Sequence, residues 1–161
     1  MEKLGNWFKS LSDRINRLVE IVVILLGILM TCVMGSQVIA RYVFNHSLFW
    51  SEEVGRIVLV WLTFLGATIA YKKKLHIGID FLIRKLPLSA RRICFVITWL
   101  TSLCFFVAFV VLGIKFLFFT SMLKTAALGI PGHFTYSVIP VSGLIFIIHN
   151  IDLLREGLSK W

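Results

Sequence analysis

The residues best equipped for chemistry lie between Arg41 and Tyr71, in the stretch RYVFNHSLFWSEEVGRIVLVWLTFLGATIAY. Two bases and two acids, Arg41, Glu52, Glu53 and Arg56, balance in charge within 16 residues of an otherwise apolar segment. On a helix, Glu52 and Arg56 are four apart and Glu53 and Arg56 three apart, in the favourable acid-first order. Arg41 closes a charge-free run from Ile21 to Ala40, and the apolar run after Arg56 holds only 15 residues. Fifteen residues make about 22 Å of helix against a hydrocarbon core of about 30 Å, so the second helix must start by Glu52 to span. Ionisable groups are thereby drawn to the membrane's edge, where an unpaired charge is costly and marks an interface or a functional site. The expectation is that Arg41 pairs with Glu53 or Glu52 and that Arg56 completes an interhelix network or partner interface. Trp50 and Trp61 flank it.

Other chemistries find little support. The chain has no glycine-rich phosphate loop, no nucleophile elbow and no acid pair backed by histidine, so it is not expected to be an enzyme. Of its four histidines, His46 and His133 fall toward one end of the helices and His76 and His149 toward the other. That would permit two imidazole pairs for b-type haem, and a haem-bearing or structural membrane anchor of a respiratory complex is the alternative reading. Cys32, Cys94 and Cys104 have no CxxC spacing, which argues against a zinc site or a disulfide framework. No span core contains Asp or Glu, which a proton-coupled exporter would need. No catalytic, metal or substrate site is expected on this chain.

The elements that must position these residues are membrane helices. With 58% hydrophobic and 14% aromatic residues over 161, the composition does not suit a water-soluble globule. The 17 Lys and Arg sit between apolar runs instead of forming one basic face, so nucleic acid is not the partner. We read one all-α integral membrane domain, residues 1–161, with four transmembrane helices at about 18–44, 52–71, 91–114 and 134–154. Residues 1–17 alternate apolar and basic side chains and suit an amphipathic interfacial helix, as does Leu75–Leu86. Gln37, with the Ser36 and Ala40 pair, suits close helix contact. Lys72, Lys73 and Lys74 mark a membrane exit at the lipid headgroups. Pro140 should kink the last span. Thirteen Lys and Arg fall on the side of both termini and four on the other, so the positive-inside rule places the N and C termini in the cytoplasm.

Arg41-Tyr42-Val43-Phe44, Trp50, Ser51-Glu52-Glu53, Arg56 and Trp61 together form a recognisable arrangement, continued by Gly66-Ala67 and His76-Ile77-Gly78-Ile79-Asp80. It resembles the small membrane subunit, the Q or DctQ type, of tripartite ATP-independent periplasmic (TRAP) transporters. The resemblance implies a scaffold for a larger multispan membrane subunit that carries the sodium and substrate sites, with no cofactor on this chain. It also implies a separate periplasmic substrate-binding protein, a bacterial inner-membrane location and import of organic anions such as dicarboxylates or sialic acids. The Phe-rich side of span three (Phe105, Phe106, Phe109, Phe116) is a weak pointer to the partner face.

Overall fold

The computed structural model describes residues 2–74 and 87–158. These form α1 (Glu2–Val43), α2 (Phe49–Lys72), α3 (Leu88–Thr120), the short α4 (Gly132–Tyr136) and α5 (Val138–Leu158). Four stretches are long and apolar enough to cross a bilayer, Trp7–Val43, Phe49–Lys72, Ala90–Thr120 and Gly132–Gly157. The all-α, four-span architecture is therefore as composition and hydropathy require. The expected interfacial helix at 75–86 lies outside the described residues.

Residues 2–17 do not form a separate in-plane helix. α1 runs unbroken for 42 residues, about 63 Å of helix. Its amphipathic start continues straight into the span, with Leu11 and Ile15 half-buried and Lys9, Arg14 and Arg17 exposed. α1 ends where Asn45 takes a left-handed φ of 49°, which Asn tolerates, and the His46 N–H donates to the Ala40 carbonyl at 3.0 Å. α2 starts at Phe49, so Glu52 and Glu53 sit in its first turns, as the length argument demanded.

The last span holds the bundle together. α5 packs against α1, α2 and α3, while α1 and α2 form their own antiparallel pair. Accordingly 33% of the last span's central window is buried against 6% for α3. Val19, Leu65 and Val138 form the buried cluster, with Trp61, Phe64 and Ile139 packed around it. A second layer is aromatic: Phe106 stacks on Phe146 at 4.6 Å, and Tyr71 meets both edge-on. Phe109 lies against Phe64 and Phe116, 39% exposed, against Tyr136, so of Phe105, Phe106, Phe109 and Phe116 it is Phe105 that is mainly outward, at 61% exposure. Phe106 and Phe109 thus pack inside the bundle, while Phe105 and in part Phe116 face outward. A Cβ on Gly143 would sit 2.6 Å from Val110 Cγ2, so this glycine sets how closely α3 and α5 approach.

The break between α4 and α5 falls at Ser137, three residues before Pro140. Proline has no N–H to return to the Tyr136 carbonyl, and the ladder resumes when Val141 N–H donates to Ser137 O at 3.3 Å.

Candidate functional site

The described spans carry their polar groups in two layers. Along α1 the layers are marked by Ser12 and Gln37, which are 25 residues or about 37 Å apart. That separation spans a hydrocarbon core of about 30 Å plus the start of each headgroup region.

In the Arg41 layer, Glu53 accepts the Ala127 N–H at 2.6 Å and the Leu128 N–H at 2.9 Å, one on each carboxylate oxygen. Those amides belong to the loop 121–131, a tight structure in its own right. Thr125 N–H donates to Ile130 O at 2.9 Å, and Ile130 N–H donates to Thr125 Oγ1 at 3.0 Å. Gly129 turns the chain at φ 65°, a conformation that favours glycine. Gly132 N–H then closes on Leu123 O at 2.7 Å. Glu53 is thus the strut between the start of α2 and this loop.

This corrects the expected Arg41–Glu53 clamp. Among the described residues neither Arg41 nor Arg56 has a carboxylate within 4.0 Å. Glu52 does not replace Glu53, because its Oε1 accepts only a long 3.4 Å hydrogen bond from buried Gln37. Backbone amides outcompete the guanidinium because the folded loop presents two of them already aimed at one carboxylate, with no long side chain to immobilise. Arg41 and Arg56 remain exposed and Trp50 is 42% exposed, while Trp61 packs against the core.

The Lys72 layer is far more closed. The Lys72 Nζ meets Asp152 Oδ2 at 2.5 Å, Asp13 Oδ1 at 3.0 Å and Ser12 Oγ at 2.7 Å, joining α1, α2 and α5 at one atom. An ammonium only donates, so the Ser12 hydroxyl accepts from Lys72, and the same oxygen is hydrogen-bonded to His149 Nδ1, 2.9 Å away. His149 is fully buried, and its Nε2 has no partner among the described residues. One residue on, Asn150 Oδ1 accepts the Tyr71 hydroxyl at 2.8 Å, and its carbonyl accepts Trp99 Nε1–H at 2.9 Å. Every long helix therefore contributes to this layer.

Lys73 pairs with Glu20 at 2.8 Å and Lys74 with Glu156 at 2.6 Å. The three lysines expected to meet lipid headgroups thus each hold a carboxylate of this chain. Sequence reading missed Ser12, Asp13, Trp99, His149, Asn150 and Asp152 as a unit. The available signal was three polar residues, His149, Asn150 and Asp152, within four positions of an apolar helix. Among the described residues no group of His, Cys, Asp and Glu is placed to hold a metal.

Comparison with known proteins matches residues 30–160 to the family described as tripartite ATP-independent periplasmic transporters, DctQ component. A Haemophilus influenzae chain named as a TRAP transporter small permease protein is 37% identical over 79 residues, 49% of this chain and 49% of that one. The match thus spans about half of that relative. The sialic acid TRAP transporter small permease protein SiaQ of Vibrio cholerae is 27% identical over 144 residues, 89% of this chain and 83% of its own length. The sialic acid TRAP transporter permease protein SiaT of Haemophilus influenzae is 29% identical over 118 residues, 73% of this chain but 19% of SiaT.

Proposed function

The chain belongs to the DctQ component family of tripartite ATP-independent periplasmic transporters, whose members are transporter components and not enzymes, and from that premise we propose that it is the small membrane subunit of a sodium-driven, binding-protein-dependent importer. It acts as a static scaffold for a large multispan transport subunit in a bacterial inner membrane. The solute is a small organic acid or a related polar metabolite, because relatives of this chain are named as small permease proteins of sialic acid, C4-dicarboxylate and ectoine TRAP transporters. The pairing with a large subunit is supported by SiaT, in which the matched segment is under a fifth of a much longer permease chain. A separate periplasmic binding protein delivers the solute, and the sodium sites lie on the partner.

The observation that carries the scaffold role is the distribution of polar groups. In the middle of the spans, over residues 21–40 of α1, 57–71 of α2 and 93–114 of α3, there is no Asp, Glu, Lys, Arg or His, and residues 138–151 of α5 hold only His149, at the edge of the Lys72 layer. A route for an ion or an anionic solute needs polar groups at mid-membrane. Arg41, Trp50 and Arg56, left exposed by Glu53's engagement with the loop, form the interface to the large subunit on this reading.

Reconstitution into liposomes tests it. The chain alone should accumulate no solute under a sodium gradient, and uptake should appear only when a large membrane subunit and a binding protein are supplied. Saturable sodium-dependent uptake by the lone chain would overturn the reading.

A further inference from the structure

We propose that Lys9, Ser10, Arg14 and Arg17 form a binding site for the headgroup phosphate of one anionic phospholipid, taking the place in lipid contact that Lys72, Lys73 and Lys74 were expected to fill. The inference requires only that the chain spans a membrane, not that it serves a TRAP transporter.

Four observations converge on it. First, the described cations of α1 near the Lys72 layer differ from the lysine triplet at the end of α2. Lys72, Lys73 and Lys74 are matched by Asp13 and Asp152, Glu20 and Glu156, whereas Lys9, Arg14 and Arg17 have no carboxylate within 4.0 Å among the described residues. Glu20, three residues beyond Arg17, is held by Lys73 at 2.8 Å.

Second, the unmatched cations line a single open hollow of about 340 Å³ with Ser10 and Asp13, within the range of about 300 to 1,000 Å³ typical of small-ligand sites. Asp13 is the one carboxylate there, directed to Lys72 Nζ at 3.0 Å, so three cations face one anion and the hollow keeps a net positive charge. Two guanidiniums offer planar paired donors, Lys9 adds a point charge and Ser10 a hydroxyl donor, a set suited to a phosphodiester.

Third, the depth is right. Ser12 lies level with Lys72 through their 2.7 Å hydrogen bond. Arg14 and Arg17 are therefore about 3 and 7 Å inside that level and Lys9 about 5 Å outside it. Arginine stems at that depth reach outward to the phosphates. Trp7, one turn above Ser10 and 60% exposed, sits where interfacial aromatic residues anchor.

Fourth, the apolar surface below continues the same helix face. Arg14, Leu18, Ile21, Leu25 and Ile28 follow helical spacing, and the four apolar members are 57 to 64% exposed, among them Leu18 at 64%. A basic pocket above an exposed aliphatic stripe is the shape of a phospholipid, with the headgroup above and an acyl chain along the helix.

Native mass spectrometry of the full chain in detergent, titrated with phosphatidylglycerol or phosphatidylcholine, tests the site. Phosphatidylglycerol should bind as one retained molecule, outcompete phosphatidylcholine, and weaken as ionic strength rises. The triple variant Lys9→Gln, Arg14→Gln, Arg17→Gln should lose about a hundredfold in affinity, as expected for three interfacial basic residues. Lys73→Gln with Lys74→Gln should bind within about twofold of the unmodified chain, since those lysines are already paired. If the triple variant fails to fold, Arg14→Gln alone and the salt dependence of the unmodified chain decide the matter. Equal retention of both lipids, undiminished binding by a folded triple or single variant, or insensitivity to salt would overturn the proposal. So would displacement of the lipid by inorganic phosphate or by soluble glycerophosphoglycerol at equal concentration, which would make this a free-phosphate site.

Discussion

Replacing Lys72 by Met keeps the aliphatic stem and removes the charge, so it isolates what the ammonium contributes to the bundle. Lys72 and Asp152 are 16% and 14% exposed, which puts their pair nearer the buried than the exposed regime. Breaking a buried pair on one side costs about 3 to 5 kcal/mol, against about 0 to 1 for an exposed pair. Asp13 is 46% exposed and regains water when freed, whereas Asp152 does not, so Lys72→Met should cost about 3 kcal/mol. Asp152→Asn leaves Lys72 with Asp13 and should cost about 2 kcal/mol. The double variant should also cost about 3 kcal/mol, well short of the sum, because both single changes remove the same Lys72–Asp152 pair. Lys73→Met breaks a pair that is 51% and 32% exposed and should change stability little. Reversible unfolding in mixed micelles, followed by helicity, measures all four. The reasoning fails if Lys72→Met is no worse than Lys73→Met, or if the losses at Lys72 and Asp152 add.

Two further predictions address the opposite layer and the topology. Glu53→Gln should raise hydrogen exchange at the Ala127 and Leu128 amides by about tenfold or more while leaving Thr125 and Ile130 protected by their mutual hydrogen bonds, because only the first pair depends on the carboxylate; unchanged exchange at Ala127 and Leu128 would reject the strut. In a background with Cys32, Cys94 and Cys104 replaced, Ser47→Cys should react with an impermeant thiol reagent added to intact spheroplasts and Lys74→Cys should not, as the thirteen-to-four charge count requires; the reverse pattern would invert the topology.

The spans were legible because membrane helices write themselves as long uncharged runs, and Pro140 announced the break that the helix makes at Ser137. The two charged layers were read only in part. Arg41, Glu52, Glu53 and Arg56 were visible as side chains, but the groups that bind Glu53 are backbone amides 74 and 75 positions away, and amides carry no signature in a sequence. Counting charges could not anticipate donors that exist only once the loop 121–131 has closed. Lys72 suffered the opposite error. A lysine triplet after an apolar run reads as a headgroup anchor, and its carboxylates, Asp13 and Asp152, lie 59 and 80 residues away on other helices. Helical spacing rules relate neighbours on one helix and are blind to such pairs. The N-terminal pattern was read correctly as amphipathic, but amphipathicity does not say whether a helix lies in the membrane plane or runs into it.

The two layers differ in a way that bears on what the chain can do. In the Lys72 layer Lys72, Lys73 and Lys74 are each held by this chain's own carboxylates and all four long helices meet, so the helices are tied together there from within. In the Arg41 layer the one carboxylate with short hydrogen bonds is directed to a loop, and Arg41 and Arg56 stay exposed at the rim of apolar helices whose outward faces include Tyr42 at 75% and Phe49 at 76% exposure. A cation at that depth gains most from a carboxylate supplied by another protein or from a lipid phosphate. Between the layers the helices are joined by aromatic stacking and by the close approach at Gly143, with no charge that could alternate between partners. A bundle whose helices are tied together through Lys72 at one end, with Arg41 and Arg56 unmatched at the other, fits the proposed attachment of a larger membrane partner through its Arg41 end.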